Sequence, residues 1–323
     1  MKLEEIGFYT LEDNRAKNVS TNSPLWRCEL LLTSRCNFKC PYCRGMKKED
    51  QGDIKLQDAL STIDLWVDQG LKNIRFSGGE PTLHPDLPFL INYCRLKGIK
   101  RIALSTNGSA NIEKYLHLLD CGVNDFSISL DSCCSATGDI LAGVKDSWNK
   151  VVSNIKTLSK HTYVTVGVVL ADQNIHETKD IVEFAISLGV SDIRLITAAQ
   201  SVKKLPIFST DPLFEKYPIL KYRLNNISCD RGVRGIQKDD THKCPLVIDD
   251  MAVLNGKHYP CIIYLREQGA PIGNFSKDVR RERYEWYLNH DCYKDPICRE
   301  NCLDVCIDYN NRVEELQEKE KSK

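Results

Sequence analysis

The 323-residue sequence carries no surplus of either charge: 44 Lys and Arg balance 44 Asp and Glu. That excludes a dedicated nucleic-acid binder, whose affinity rests on excess basic side chains, and leaves room only for a local basic groove. No stretch approaches the roughly 18 consecutive apolar residues that a membrane span needs. The opening MKLEEIGFYTLEDNRAKN lacks an apolar run of signal-peptide length and is acidic from residue 4. Low-complexity segments are missing too. These absences predict a cytoplasmic protein with no membrane partner. Against them stands one excess, 15 cysteines. In a reducing compartment, clustered cysteines more often bind metal than form disulfides.

Strand-like runs occur at 27–33, 72–77, 100–105, 124–130, 162–170 and 192–197, with amphipathic stretches at 56–69, 86–97, 111–119, 146–159 and 176–188 between them. In 56–69, Leu56, Leu60, Ile63, Leu65 and Trp66 fall mainly on one helical face. Six strand–helix units in series predict an α/β fold with a parallel sheet, read as a partial (β/α)6 TIM-like barrel whose sites lie at the strands' C-terminal ends. The expected organisation is an N-terminal segment 1–26, the barrel 27–200, an irregular connecting segment 201–243, a small cysteine-rich extension 244–310 and a charged tail 311–323 read as a solvated, frayed helix.

Just after the first predicted strand, SRCNFKCPYCRG places Cys36, Cys40 and Cys43 at CxxxCxxC spacing. Three thiolates on a short loop suit three irons of a cubane cluster and leave the fourth open to a small molecule. A zinc site is the alternative, although structural zinc usually takes four ligands from repeated CxxC pairs. After the second strand comes Ser77-Gly78-Gly79-Glu80-Pro81. Paired glycines permit close backbone approach to a ligand, and a carboxylate accepts hydrogen bonds from an ammonium group. Standing alone, this segment would read as an ordinary Gly-rich turn.

Over residues 27–200 the sequence resembles the radical S-adenosylmethionine (radical SAM) superfamily, which carries CxxxCxxC after the first barrel strand and GGEP after the second. The resemblance implies a catalytic 4Fe–4S cluster on Cys36, Cys40 and Cys43. It also implies S-adenosylmethionine bound by Tyr42, by Ser77, Gly78, Gly79, Glu80 and Pro81, by Ser105 and Asn107, by Ser129 and Asp131, and by Val168 and Asn174.

A second set of cysteines follows. Cys244 and Cys261 bracket a C-x11-G-x4-C segment, in which alternating apolar residues around Asn255-Gly256 predict a hairpin that brings the two thiols near one another. Cys292, Cys298, Cys302 and Cys306 come next at gaps of five, three and three. This resembles the SPASM or twitch extension, which implies at least one auxiliary 4Fe–4S cluster on these six residues. Asn289 stands where the pattern calls for another cysteine, with His290 and Cys229 as substitutes; a zinc ribbon is the alternative. Cys28, Cys94 and Cys121 read as small buried residues, Cys133 and Cys134 as a loop facing the site, and His84 as structural.

The resemblance implies reductive cleavage of S-adenosylmethionine to a 5′-deoxyadenosyl radical that takes hydrogen from a substrate, with flavodoxin or ferredoxin as electron donor. A small molecule or nucleotide is expected as substrate. The alternative is a ribosomally made peptide, although only 35 residues precede Cys36, too few for a fused peptide-binding domain. From another class, a non-catalytic iron–sulfur protein for electron transfer or redox sensing would have no use for the GGEP segment.

Overall fold

Six parallel strands line up in chain order: β1 (Arg27–Thr33), β2 (Asn73–Gly78), β3 (Arg101–Thr106), β4 (Asp125–Ser129), β5 (Tyr163–Leu170) and β6 (Asp192–Thr197). Each answers one of the predicted runs. The computed structural model describes residues 14–47, 51–199 and 212–321. The crossovers carry α1 (Leu56–Asp68), α2 (Leu87–Leu96), α3 (Ile112–Cys121), the pair α4 (Ser135–Ala142) and α5 (Ser147–Leu158), and α6 (Thr178–Ser187). On α1 the buried residues are Ala59, Thr62, Ile63 and Trp66, one face at helical spacing turned to the sheet. Alternate strand residues point outward into this helical layer: Leu30, Ile74, Phe76, Leu104, Phe126, Val166 and Leu195 all have negligible exposure.

The sheet does not end at β1. On its other edge β1 pairs in parallel with β7 (Asp250–Leu254), in the register Arg27 with Asp250 through Leu30 with Val253. Strands β8 (Lys257–Tyr259) and β9 (Gly273–Asn274) continue it antiparallel, so the predicted barrel and cysteine-rich segment share one nine-stranded sheet. The expected hairpin is β7–β8, and Asn255 and Gly256 both take positive φ, 47° and 71°, as a tight turn of primed type requires.

Two expectations need correction. Of the segment read as irregular, 201–211 lies outside the described residues, but the rest contains α7 (Pro218–Ser228). Pro218 occupies the first turn, where its missing N–H costs nothing, and Asp192 of β6 accepts from the free amides of Ile219 and Leu220. The helix buries Ile219, Leu220, Leu224 and Ile227. The tail belongs to α12 (Asp304–Lys321), which packs Val305, Tyr309 and Val313 into a small cluster with Ala16, Ile219 and Leu246. Only its far end matches the expected solvated helix. Residues 1–13 and 322–323 also lie outside the described residues.

Four shorter helices complete the C-terminal part: α8 (Leu246–Asp249), α9 (Ile262–Arg266), α10 (Val279–Asn289) and α11 (Pro296–Asn301). Arg283 of α10 is fully buried and donates to the carbonyls of Val247, Asp250, Tyr259 and Pro260, at both ends of the β7–β8 hairpin. Arg283→Met should leave those acceptors unpaired and cost about 3–5 kcal/mol. A chemical-denaturation midpoint within error of the parent would contradict this.

Candidate functional site

Alternate residues of β1–β6 point the other way, into the barrel, and many are polar: Arg27 and Glu29, Arg75 and Ser77, Ser105, Ser127 and Ser129, then Arg194. Their C-terminal ends open on a cavity of about 520 Å³. Cys36, Cys40 and Cys43 line it, together with Tyr42, Ser77, Gly78, Gly79, Ser105, Asn107, Ser129, Asp131 and Val168. Of the predicted set, Glu80, Pro81 and Asn174 are not in this wall.

Glu80 is fully buried beneath it. Its carboxylate accepts from the Thr82 amide and hydroxyl, the Thr106 hydroxyl and the Asn107 amide, which ties the turn after β2 to the turn after β3. Asn174 is equally buried; it donates to the carbonyls of Asp131 and Val169 and accepts from Ala171. Each therefore holds neighbours in place. Gly78 and Gly79 line the cavity and also pack closely on the chain behind it. Gly79 donates to the Thr33 carbonyl at 2.6 Å, and Glu80 to that of Arg35 at 2.7 Å. A Cβ on Gly79 would lie 2.2 Å from the Arg35 carbonyl oxygen, and one on Gly78 2.4 Å from that of Thr33. The glycines let the turn after β2 press against the chain entering the cysteine loop.

Within that loop the sulfurs accept backbone donors: Phe38 N lies 3.4 Å from Cys36 Sγ, and Gly45 N 3.4 Å from Cys43 Sγ. Asn107 Nδ2 reaches Cys36 Sγ at 4.0 Å. Burial pushes the Cys36 thiol up and that of Cys40 to about 11, so without a cation the free thiols hold their protons. The three cysteines of this loop, with no fourth in the cavity wall among the described residues, suit a three-ligand cluster and fall one short of a closed zinc site. Tyr42 donates its hydroxyl to Asp131, whose other oxygen accepts from Val169 N at 2.6 Å. Burial raises the Asp131 carboxyl to about 6.

All six C-terminal cysteines line a second cavity, of about 270 Å³. Glu29, Ser105, Arg194, Ile196 and Arg234 belong to the walls of both cavities, so the two meet inside the barrel. The C-terminal part also braces the first site: Arg266 of α9 donates to the Gly78 carbonyl, and Glu267 pairs with Arg44. Cys229 is exposed at the end of α7 and lies outside both walls, as do Cys133 and Cys134, contrary to the loop expectation. Cys28 and Cys94 are buried as expected, Cys121 only partly. His84 is buried with Nε2 against the Ile54 carbonyl.

Residues 30–185 match the model described as the Radical SAM superfamily. Through that segment, just under half of its length, the chain is similar to the radical SAM superfamily. A probable GTP 3′,8-cyclase of Metallosphaera sedula is 31% identical, over 54% of this chain and 56% of its own length. The antilisterial bacteriocin subtilosin biosynthesis protein AlbA of Bacillus subtilis is 32% identical over 49% of this chain and 36% of its own. This chain thus spans about half the length of the cyclases it matches and less of AlbA. A solved anSMEcpe, with bound AdoMet and Cp18Cys peptide, superposes with a TM-score of 0.60 at 16% identity, covering 91% of this chain and 94% of that one. The likeness to anSMEcpe therefore extends through the cysteine-rich part of the fold. Superfamily members use a 4Fe–4S cluster and S-adenosylmethionine.

Gly79→Ala should displace the Arg35 carbonyl and the cysteine loop behind it, at a cost of about 1–3 kcal/mol. Iron retained after reconstitution should fall by at least about half, whereas Ser129→Ala should keep the parent's iron. Unchanged iron and melting temperature in the glycine variant would contradict the packing role.

Proposed function

We propose that the chain is a radical SAM enzyme acting on an anionic small molecule or nucleotide, with an auxiliary 4Fe–4S cluster in the six-cysteine chamber. The observation that carries this reading is the shared wall. Arg194 donates to the Ser127 hydroxyl, and Arg234 to the carbonyls of Thr197 and Asn301. Among the described residues neither makes an ion pair, although both stand where the two cavities meet. Burial and the nearby Arg75 and Arg27 push Arg194 down to about 10, which leaves it protonated near neutral pH. Half-buried cations without a charged partner suit a phosphate or carboxylate held between the two cysteine sets. The likeness to GTP 3′,8-cyclases supports a nucleotide.

When bound on Cys36, Cys40 and Cys43, the cluster would supply the electron that cleaves S-adenosylmethionine to a 5′-deoxyadenosyl radical. The chain's own part is to position and to exclude. Phe38 N, Gly45 N and Asn107 donate to the thiolates, a neighbouring shell of the kind that tunes a metal site. Ser105, Ser129 and the Tyr42–Asp131 pair present polar groups to the cofactor. Arg194 and Arg234 fix the substrate's charged end, and the surrounding barrel keeps bulk water from the reacting atoms. Flavodoxin or ferredoxin would supply the electron. A peptide substrate is the second reading, favoured by the likeness to AlbA. Among the described residues no helix is long and apolar enough to cross a membrane.

With S-adenosylmethionine and dithionite, the reconstituted protein should release 5′-deoxyadenosine, and replacing Cys36, Cys40 and Cys43 with Ala should abolish it. Release by the triple variant would overturn the site, and no release by the parent would favour a non-catalytic iron–sulfur protein. Arg194→Gln and Arg234→Gln should each weaken GTP binding at least about tenfold, equivalent to about 1.4 kcal/mol, while 5′-deoxyadenosine release without substrate persists. Equal GTP affinity in parent and variants would count against an anionic substrate.

A further inference from the structure

The chamber's donors are not all equivalent. Donor atoms of His290, Cys292 and Cys298 lie within 4.8 Å of one another, and among the described residues no other trio of His, Cys, Asp or Glu does so. Nε2 of His290 stands 3.9 Å from Cys298 Sγ. Metal–sulfur bonds of about 2.3 Å and metal–nitrogen bonds of about 2.0–2.1 Å, set at tetrahedral angles, put N and S about 3.6 Å apart. One ion would therefore need to draw the pair only a few tenths of an ångström closer. Cluster cysteines instead each bind a separate iron; the thiol pairs Cys244–Cys292 and Cys302–Cys306 are also in contact, but among the described residues no third donor closes on either pair.

Local structure holds the trio in place. His290 follows the last turn of α10 and stacks on Trp286, with ring centroids 3.9 Å apart. Its carbonyl accepts from Lys243 Nζ at 3.0 Å. Cys292 is buried, and its amide donates to the His242 carbonyl. Cys298 lies in the first turn of α11, where the Asp295 side chain caps the amides of Ile297 and Cys298. The other oxygen of Asp295 lies 3.2 Å from His290 Nε2 and accepts from the Tyr264 hydroxyl at 2.9 Å.

We infer that His290, Cys292 and Cys298 bind a single tetrahedral ion of zinc type, separate from any cluster. Nitrogen and thiolate donors favour that ion, and two thiol protons leave as it binds. Cys244, Cys261, Cys302 and Cys306 then remain as the four ligands of the auxiliary cluster. That division rests on the proposed function; the ion site does not.

Zinc and iron should be measured by mass spectrometry on the full chain, reconstituted anaerobically with iron, sulfide and zinc. The expected content is one zinc with about eight irons. Replacing Cys292 and Cys298 with Ser should remove the zinc and keep the iron. His290→Ala should weaken zinc at least about tenfold in competition with a chelator, and His290→Cys should restore it. With cobalt in place of zinc, His290→Ala should shift the thiolate charge-transfer band. Loss of about four irons from the Cys292/Cys298 variant, with no zinc in the parent, would overturn the inference. Full iron in a Cys244→Ser/Cys261→Ser variant that still binds zinc would instead defeat the auxiliary cluster alone.

Discussion

Strand β1 is paired on both edges, with β2 on one side and β7 on the other, and the rest of the structure depends on that double pairing. Its last residue leads directly into the loop of Cys36, Cys40 and Cys43. Its β7 edge carries the hairpin that ends at Cys261. The Arg27–Asp250 ion pair at 2.7 Å fastens the same edge, and Trp66 of α1 meets Phe275 edge-on behind it. Two cysteine sets more than 200 residues apart therefore approach each other through a single strand, and their cavities share a wall.

That wall explains why the barrel tolerates so many interior charges. A buried charge without a partner costs several kcal/mol, so folds retain one where another group compensates it or where a ligand will. Arg75 and Arg101 share Asp125, and Arg223 pairs with Asp304, linking α7 to α12. Arg283 is held by four carbonyls, whereas Arg194 and Arg234, also left to uncharged partners, stand in the wall that both cavities share, where a substrate could reach both cysteine sets.

Much of the fold was legible in the sequence because its signals are local. Apolar and β-branched runs marked all six barrel strands, and Asn255-Gly256 marked the hairpin, since few other residue pairs accept positive φ twice in succession. The interior polar layer was legible as well, as the alternation Arg27–Glu29, Arg75–Ser77 and Asp125–Ser127–Ser129. Helix α7 was missed because Pro218 reads as a breaker until Asp192 caps the amides behind it.

By itself the sequence determined the strand–helix alternation, the CxxxCxxC and GGEP loops and the supply of C-terminal thiols, all of which depend on residue type and short-range spacing. Only the tertiary structure decided that Glu80 and Asn174 brace turns, that Gly78 and Gly79 pack against the cysteine loop, and that Arg194 and Arg234 face both cavities. Of the two substitutes that the sequence offered for the cysteine missing at 289, only the fold decided that His290 stands beside Cys292 and Cys298 while Cys229 lies outside the chamber. Each of these outcomes rests on contacts between segments far apart in the chain, or on which way a side chain turns from its backbone. Neither is encoded in spacing along the chain.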